Sequence, residues 1–340
     1  MRIKRVGVAV AVAAVVLVGL IAFVTASYRH EIAAAEARVS SGSQIVDTPC
    51  GSIEYAIAGK GMPLLVVHGA GGGFDQGLKF GRPLADLGFM VIAMSRFGYL
   101  RSSFPADASP AAQADAHACL LDALGLPKAA ILGGSAGAPS TIQFCLRHAH
   151  RCSAMVLLVP AFFPPRRTGE PQVQPPAPPS FMAEAILGSD FFFWLNLKLA
   201  RDTMLERLFA TPIGDFRNAP PGEQERILRV MRDALPLGPR RRGLWNDLTI
   251  LASAPRYELE RLDVATLVIS VENDLFGIHE SSRHLAGRIP RARLVSFPTG
   301  GHLWVGRQNE VVSELTAFLS SRPDRRPART REPTVRKSGT

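Results

Sequence analysis

A doubly wound, mostly parallel α/β sheet is the fold class the sequence predicts, interrupted by a helical insertion and preceded by an apolar N-terminal helix. Three observations lead there. Apolar runs such as "PLLVV" (63–67), "AAIL" (129–132), "MVLLV" (155–159) and "TLVIS" (266–270) lack the alternation of a half-buried strand, so each suits a strand covered on both faces. Segments with helical spacing separate them, and strands that alternate with helices form parallel crossovers. The rhythm then breaks at "PPRRTGEPQVQPPAPPS" (164–180), too rich in proline for any regular element, and only helical patterns follow until about residue 255.

Taken in order, Val6 to Val24 is an uncharged apolar stretch of about 19 residues, close to the ~20 that cross a bilayer as a helix. Arg2, Lys4 and Arg5 precede it and favour the cytoplasmic side, which places the rest of the chain on the exported side. Residues 1–26 are read as a membrane anchor. The alternative is a signal segment cleaved near Ala26, since Val24-Thr25-Ala26 offers small residues at the end of the run. Residues 27–44, with "YRHEIAAAEARV", are read as a helical stalk.

The first part of the core is expected over residues 45–160. "GSIEYAIAGKG" alternates like an edge strand, "MVIAM" is a further buried strand, and "SPAAQADAHACLLDALGL" is a helix capped by Ser109. "APSTIQFCLRHAHR" is the helix between the strands at 129 and 155. Residues 161–258 form the proline-rich segment and helical cap, and 259–321 complete the core with two strands and two helices. The tail, 322–340, is polar, charged and expected to be disordered.

The formal net charge of +10 sits at the ends of the chain. The tail carries seven Lys/Arg against two Asp/Glu, the opening carries three more cations, and the body between is close to neutral. That leaves no basic stripe for a nucleic-acid groove, and no nucleic-acid partner is expected. Four cysteines (Cys50, Cys119, Cys145, Cys152) permit three complete pairings in an oxidising compartment. No pairing is selected by the sequence, and Cys145 and Cys152 read as buried free thiols. With no CxxC motif or Cys/His cluster, neither a metal site nor a cofactor is expected.

The chemistry concentrates in "GGSAG" (133–137), where a buried strand meets a helix. A nucleophilic serine must expose its Oγ at a sharp turn, and Gly133 and Gly137 give the backbone room around Ser135. A tight turn with no catalytic role is the alternative. Acyl transfer then needs amide donors for the developing oxyanion. Ala136 N–H follows the nucleophile, and the glycine-rich "HGAGGG" (68–73) offers Ala70 first and Gly71 next. His68 is expected to fix loop shape. The base is expected at His302, in the loop "PTGGHLWVG", with His279 as its rival. His117, His148, His150 and His284 lie in helical patterns and read as surface residues. Asp274, closing "TLVISVEND", is the candidate carboxylate, with Glu272 as runner-up. Asp247 and Asp263 read as solvated or capping, and Arg240 to Arg242 as a solvated loop.

On "HGAGGG", "MSRFGYLRSS", "GGSAG", "ISVENDLFG" and "GGHLWVG", the chain resembles the α/β-hydrolase fold family over roughly residues 45–320. The resemblance implies a serine hydrolase with a cap inserted after the sixth strand. Val271 stands where many relatives have glycine, and no proline closely follows Asp274. The expected reaction is cleavage of a carboxylic ester of a small hydrophobic molecule through an acyl-enzyme on Ser135. Two alternatives stand beside it: a membrane-tethered binding module on an inactive hydrolase fold, and an aminopeptidase- or acyltransferase-type enzyme. An aminopeptidase would need cap carboxylates, for which Glu184, Asp190 and Asp202 are candidates. The aromatic run Phe191–Trp194, with Leu195 and Leu197, is expected mainly to pack the cap onto the core.

Overall fold

The apolar runs pair into a single sheet. In the computed structural model, residues 2–163, 181–253 and 256–321 are described, with side chains from residue 11 onward. The proline-rich segment and the basic tail lie outside the described residues. The strands are β1 (Gln44–Thr48), β2 (Gly51–Ala58), β3 (Met62–Val67), β4 (Phe89–Met94), β5 (Ala129–Gly134), β6 (Cys152–Leu158), β7 (Thr266–Val271) and β8 (Ala292–Phe297). They lie in the order β1-β2-β4-β3-β5-β6-β7-β8. β1 and β2 pair antiparallel, as do β2 and β4; every other neighbour is parallel.

Twelve α-helices accompany the sheet among the described residues. They are α1 (Arg2–Ser40), α2 (Phe74–Ala85), α3 (Pro110–Ala123), α4 (Ala138–Arg147), α5 (Phe181–Leu187), α6 (Asp190–Leu199), α7 (Arg201–Arg207), α8 (Ile213–Asn218), α9 (Pro221–Arg232), α10 (Arg241–Ser253), α11 (Ile278–Arg288) and α12 (Gln308–Ser320). Ser109 caps α3 as its sequence position implies, its hydroxyl accepting from Ala112 N–H at 3.2 Å. On β3, Leu65 and Val67 join the cluster under α3 and α4, while Leu64 and Val66 join the one under α2 and α12. Successive residues of a strand face opposite ways, so a strand buried on both sides must be apolar throughout. That is why "PLLVV" does not alternate.

The chain leaves β3 outward to β4 and then crosses back to β5, so the strand order reverses between β3 and β5. A crevice opens at such a reversal, beyond the carboxyl ends of the two strands. The segments 68–73 and 135–137 emerge there. Helices α5 to α10 form the cap, inserted after the sixth strand.

Several expectations need correction. β2 is not an edge strand: the short β1 covers it, and Ile53 to Ala56 are buried. The cysteines are not free. Cys50 bridges Cys119, tying the β1–β2 turn to α3, and Cys145 bridges Cys152, tying α4 to β6, with Cα separations of 6.3 and 5.2 Å. Such pairings depend on a proximity that only the folded chain creates. His117, Asp247 and Arg240 are all buried. Arg240 pairs with Asp75, and Asp247 receives both arms of Arg96 at 2.6 Å.

The predicted stalk does not stand free. α1 runs unbroken to Ser40, and Val24, Tyr28, Ile32 and Ala35, spaced to share one helix face, pack on the cap's apolar cluster. Tyr28 meets Phe191 and Trp194 edge-on, with ring centroids 5.3 and 5.6 Å apart, and Lys198 pairs with Glu31 at 2.7 Å. The residues before Val24 differ. Val15 and Phe23 are 73% and 71% exposed, and α1 from Ala11 to Ser40 is, by length and composition only, able to cross a bilayer, with mean hydropathy 2.3 over an 18-residue window.

Candidate active site

Ser135 follows the last residue of β5 directly and has φ of +46°, in the left-handed region. A non-glycine residue there costs on the order of 1–2 kcal/mol, so surrounding structure must hold it. Its carbonyl is fixed from two sides, accepting from Ala161 N–H at 3.1 Å and from Ala138 N–H. The flanking glycines serve space rather than conformation. A Cβ on Gly133 would lie 2.3 Å from Thr141 Oγ1, and one on Gly137 would lie 2.7 Å from the carbonyl oxygens of Val67 and His68. β3 and the turn after β5 therefore approach more closely than any side chain would permit.

His302 lies in a short 3₁₀ turn (Gly301–Leu303) beyond β8. Its Nε2 is 2.9 Å from Ser135 Oγ, and its Nδ1 is 2.7 Å from Asp274 Oδ2. Asp274 is buried just past β7, and its Oδ1 accepts from Phe276 N–H at 2.8 Å. That bond closes the turn for which the sequence supplies neither the family's glycine nor a proline. Phe276 also stands edge-on to the imidazole, with centroids 5.0 Å apart. The cap holds the histidine loop from above: Asp215 accepts from Asn273 Nδ2 at 2.7 Å and Gly300 N–H at 2.8 Å, and Asn273 Oδ1 accepts from Gly301 N–H at 3.0 Å. Glu272 is exposed, and the His302 Nδ1 it would have to hold is taken by Asp274; His279 is turned toward Ser270 Oγ at 3.3 Å, away from the serine's partner position held by His302.

The loop 68–73 comes to the same place. His68 Nε2 accepts from Arg96 N–H at 3.0 Å, which leaves Nδ1 to donate to Gly69 O at 2.7 Å. Both ring nitrogens are thereby committed, and burial, assisted by the Arg96 charge, pushes the imidazole well below its usual pKa. Gly69 N–H donates to Gln76 Oε1 at 2.9 Å, Gly71 N–H to Tyr99 Oη at 3.3 Å and Gly72 N–H to Gly69 O at 3.3 Å. Ala70 N–H has no acceptor among the described residues. Gly71, the second choice for an oxyanion donor, is thus engaged elsewhere, whereas Ala70 lines a cavity with Ser135 and His302. Ala136 N–H lies in the first turn of a 3₁₀ helix, where amides have no intrahelical partner.

This cavity, about 130 Å³, is walled by Val159 and Trp304 of the core and by Leu208, Phe209 and Val230 of the cap. Nothing in the sequence marks the three cap residues, because their segments show only helical packing patterns. The aromatic run does not line the cavity: Phe193 and Trp194 are buried in the apolar cluster that joins the cap to Leu303 and Val305 of the core, as expected. None of Glu184, Asp190 and Asp202 lines the cavity; Asp190 accepts from Leu237 N–H, and Asp202 pairs with Arg217 at 2.6 Å. A larger hollow of about 470 Å³ lies between α1 and the cap, but its Lys and Arg side chains are already ion-paired and no Ser, Thr or Cys among the described residues lines it.

Comparison with known proteins bears on the fold. The model of the α/β-hydrolase fold family matches residues 62–305, which spans β3, the serine turn, the cap and the histidine loop. The chain belongs to the α/β-hydrolase fold family. It is 26% identical over 293 residues to the uncharacterized hydrolase YcgS of Bacillus subtilis, covering 80% of this chain and 96% of that one. A shorter match, 29% over 113 residues, joins 32% of this chain to 40% of a 2-hydroxy-6-oxo-6-phenylhexa-2,4-dienoate hydrolase of Comamonas testosteroni. Among solved structures, an α/β-hydrolase fold protein from Nakamurella multipartita superposes with a TM-score of 0.65 at 29% identity, covering 82% of this chain and 98% of that one. In this family setting, α1 up to Val39 lies wholly before the matched core, yet it is packed onto the cap.

Proposed function

We propose that this α/β-fold hydrolase cleaves carboxylic esters, or related acyl bonds, of small hydrophobic molecules through an acyl-enzyme on Ser135. The observation that carries the reading is the 2.9 Å contact between Ser135 Oγ and His302 Nε2, with Asp274 behind the imidazole at 2.7 Å. His302 Nε2 takes the hydroxyl proton as Oγ attacks the acyl carbonyl, and Asp274 holds the Nδ1–H tautomer and stabilises the imidazolium. The oxyanion that forms faces Ala70 and Ala136 N–H, the donors left open by the loop's other bonds. The tetrahedral carbon then expels its alkoxide, which leaves with the proton from His302. Water, deprotonated by the same nitrogen, attacks the ester on Ser135, and collapse frees the acid and restores the hydroxyl.

The cavity limits the substrate. At about 130 Å³ it approaches the engineered 150 Å³ cavity that holds benzene, so it takes an acyl or aryl group of that size. Its apolar walls favour hydrophobic esters over sugars. α1 supports placement at a membrane: Val24 is already docked on the cap, so cleavage near Ala26 would cut inside a packed helix. Two disulfides suit an oxidising, exported location.

The test is a panel of p-nitrophenyl esters from acetate to laurate, set beside amino-acid p-nitroanilides and the dienoate named for the Comamonas relative. Short esters should be cleaved fastest, and Ser135→Ala should lose on the order of 10⁵ in kcat. Full esterase activity in Ser135→Ala would overturn the proposal. Retention of the full chain in carbonate-washed membranes tests the anchor separately.

A further inference from the structure

Asp75 follows the loop 68–73 and stands in the first turn of α2, 6% exposed. Its carboxylate receives Arg240, which is fully buried, through two nitrogens at 2.9 and 3.1 Å. The same guanidinium donates to Gly72 O, so Arg240 grips the loop's backbone and the side chain beyond it together. Arg240 belongs to the cap. A second cation reaches Asp75 from a different element: Arg38, in the last turn of α1. Arg38 also donates to the carbonyl oxygens of Leu235 and Asp233, the latter at 3.2 Å, and lies 3.4 Å from Asp233 Oδ1. Lys79 of α2 pairs with that same Asp233. Burial alone would raise the Asp75 carboxyl; Arg240 and Arg38 more than reverse this and hold it below the usual range.

The position of this node matters because of what the loop leaves free. The amides of Gly69, Gly71 and Gly72 are tied by Gln76, Tyr99 and Gly69 O, and the Gly69 carbonyl by His68 and Arg96. Gly72 O is tied by Arg240 alone among the described residues. The direction of Ala70 N–H is therefore set from both sides, and one of those sides is anchored through Asp75 to α1. The inner half of α1 is itself held by Val24, Tyr28, Ile32 and Ala35 on the cap.

We propose that Arg38 and Arg240 are positioning residues for the oxyanion loop: by clamping Asp75 they make the inner half of the N-terminal helix, together with the cap, part of the hydrolytic unit rather than a tether. This rests on the acyl-enzyme reading of Ser135 given above. Misplacing an oxyanion donor weakens only the charged tetrahedral state, so the loss should fall on kcat and not on KM.

The experiment compares the full chain in detergent micelles with Arg38→Met, Arg38→Lys and, as a control, Lys198→Met. The control breaks the Glu31 ion pair at the same α1–cap junction without touching Asp75. Kinetics on p-nitrophenyl butyrate are read beside the Ki of a trifluoromethyl ketone, whose adduct on a serine is a charged tetrahedral oxyanion, and beside hydrogen exchange of the amides of residues 69–73. In Arg38→Met, kcat should fall about tenfold, Ki should rise by a similar factor, KM should stay within about twofold, and loop amides should exchange at least about fivefold faster. Arg38→Lys should recover most of kcat, and Lys198→Met should match the parent. The proposal is overturned if Arg38→Met leaves kcat, Ki and exchange within about twofold of the parent, or if kcat falls while Ki stays fixed, since lost folded protein alone does that. A parent chain without esterase activity overturns the acyl-enzyme reading and the catalytic half of this proposal, while the exchange measurement still judges the clamp.

Discussion

His68 and His302 are both buried histidines at the carboxyl ends of sheet strands, yet their surroundings allow opposite things. His68 has each ring nitrogen committed to backbone, between Arg96 N–H and Gly69 O, and burial keeps it neutral. A proton has nowhere to go there. His302 has a carboxylate on one side and on the other a hydroxyl that opens on a cavity. The contrast extends to two aspartates. Asp247 is saturated by both arms of Arg96 and by Tyr99 Oη, whereas Asp274 holds one backbone amide and the imidazole. Residue type and burial are shared within each pair. What separates chemistry from architecture is whether one partner faces empty space.

Substitution of the two aspartates should separate the two kinds of site most sharply. Asp274→Asn preserves shape but favours the wrong imidazole tautomer, and kcat on a short ester should fall about 10⁴-fold. Its stability should change by less than about 1.5 kcal/mol in urea unfolding, because the amide keeps hydrogen bonds. Asp247→Ala strands a buried guanidinium and should cost about 3–5 kcal/mol of unfolding free energy. Equal effects on both quantities in both variants would erase the distinction.

A smaller effect comes from acid. Burial, aided by the Arg96 charge, lowers the His68 pKa and takes His117 down to about 3. In the unfolded chain both bind a proton near the ordinary value of about 6.5, so acid stabilises the unfolded state first. Stability that is intact above that pH is lost as pH falls below it, by about 1.4 kcal/mol per unit for each group. Denaturation curves at pH 7, 6 and 5 should show this slope, and His117→Gln should remove roughly half of these histidines' share. A His117→Gln slope equal to the parent's would mean that His117 is protonated in the fold.

The sequence carries this contrast only in part. The positions of Ser135, Asp274 and His302 are legible because each sits in a short local pattern at the end of a strand, and strand ends can be read from apolar runs. The sheet is legible for the same reason, apart from the short β1 at its edge. The saturated cluster is not. Arg96 and Asp247 are 151 residues apart, Arg240 and Asp75 are 165 apart, and nothing local in the sequence joins either pair: Asp247 alone reads as solvated or capping and Arg240 as part of a solvated loop. The disulfides fail for a related reason: two pairs must be chosen out of three possible schemes, and only the fold brings Cys50 to Cys119. The docking of α1 was hidden by its composition, since an alanine-rich helix beyond an apolar span looks the same free or packed.

The most direct measurement is the site of covalent capture. After reaction with a fluorophosphonate, the tryptic peptide 129–147 also contains Ser140 and Thr141, so fragmentation must assign the adduct. The arrangement of Ser135 against His302 predicts one adduct, on Ser135, lost in His302→Ala. An adduct on any other residue, or labelling of Ser135 undiminished without His302, would contradict it.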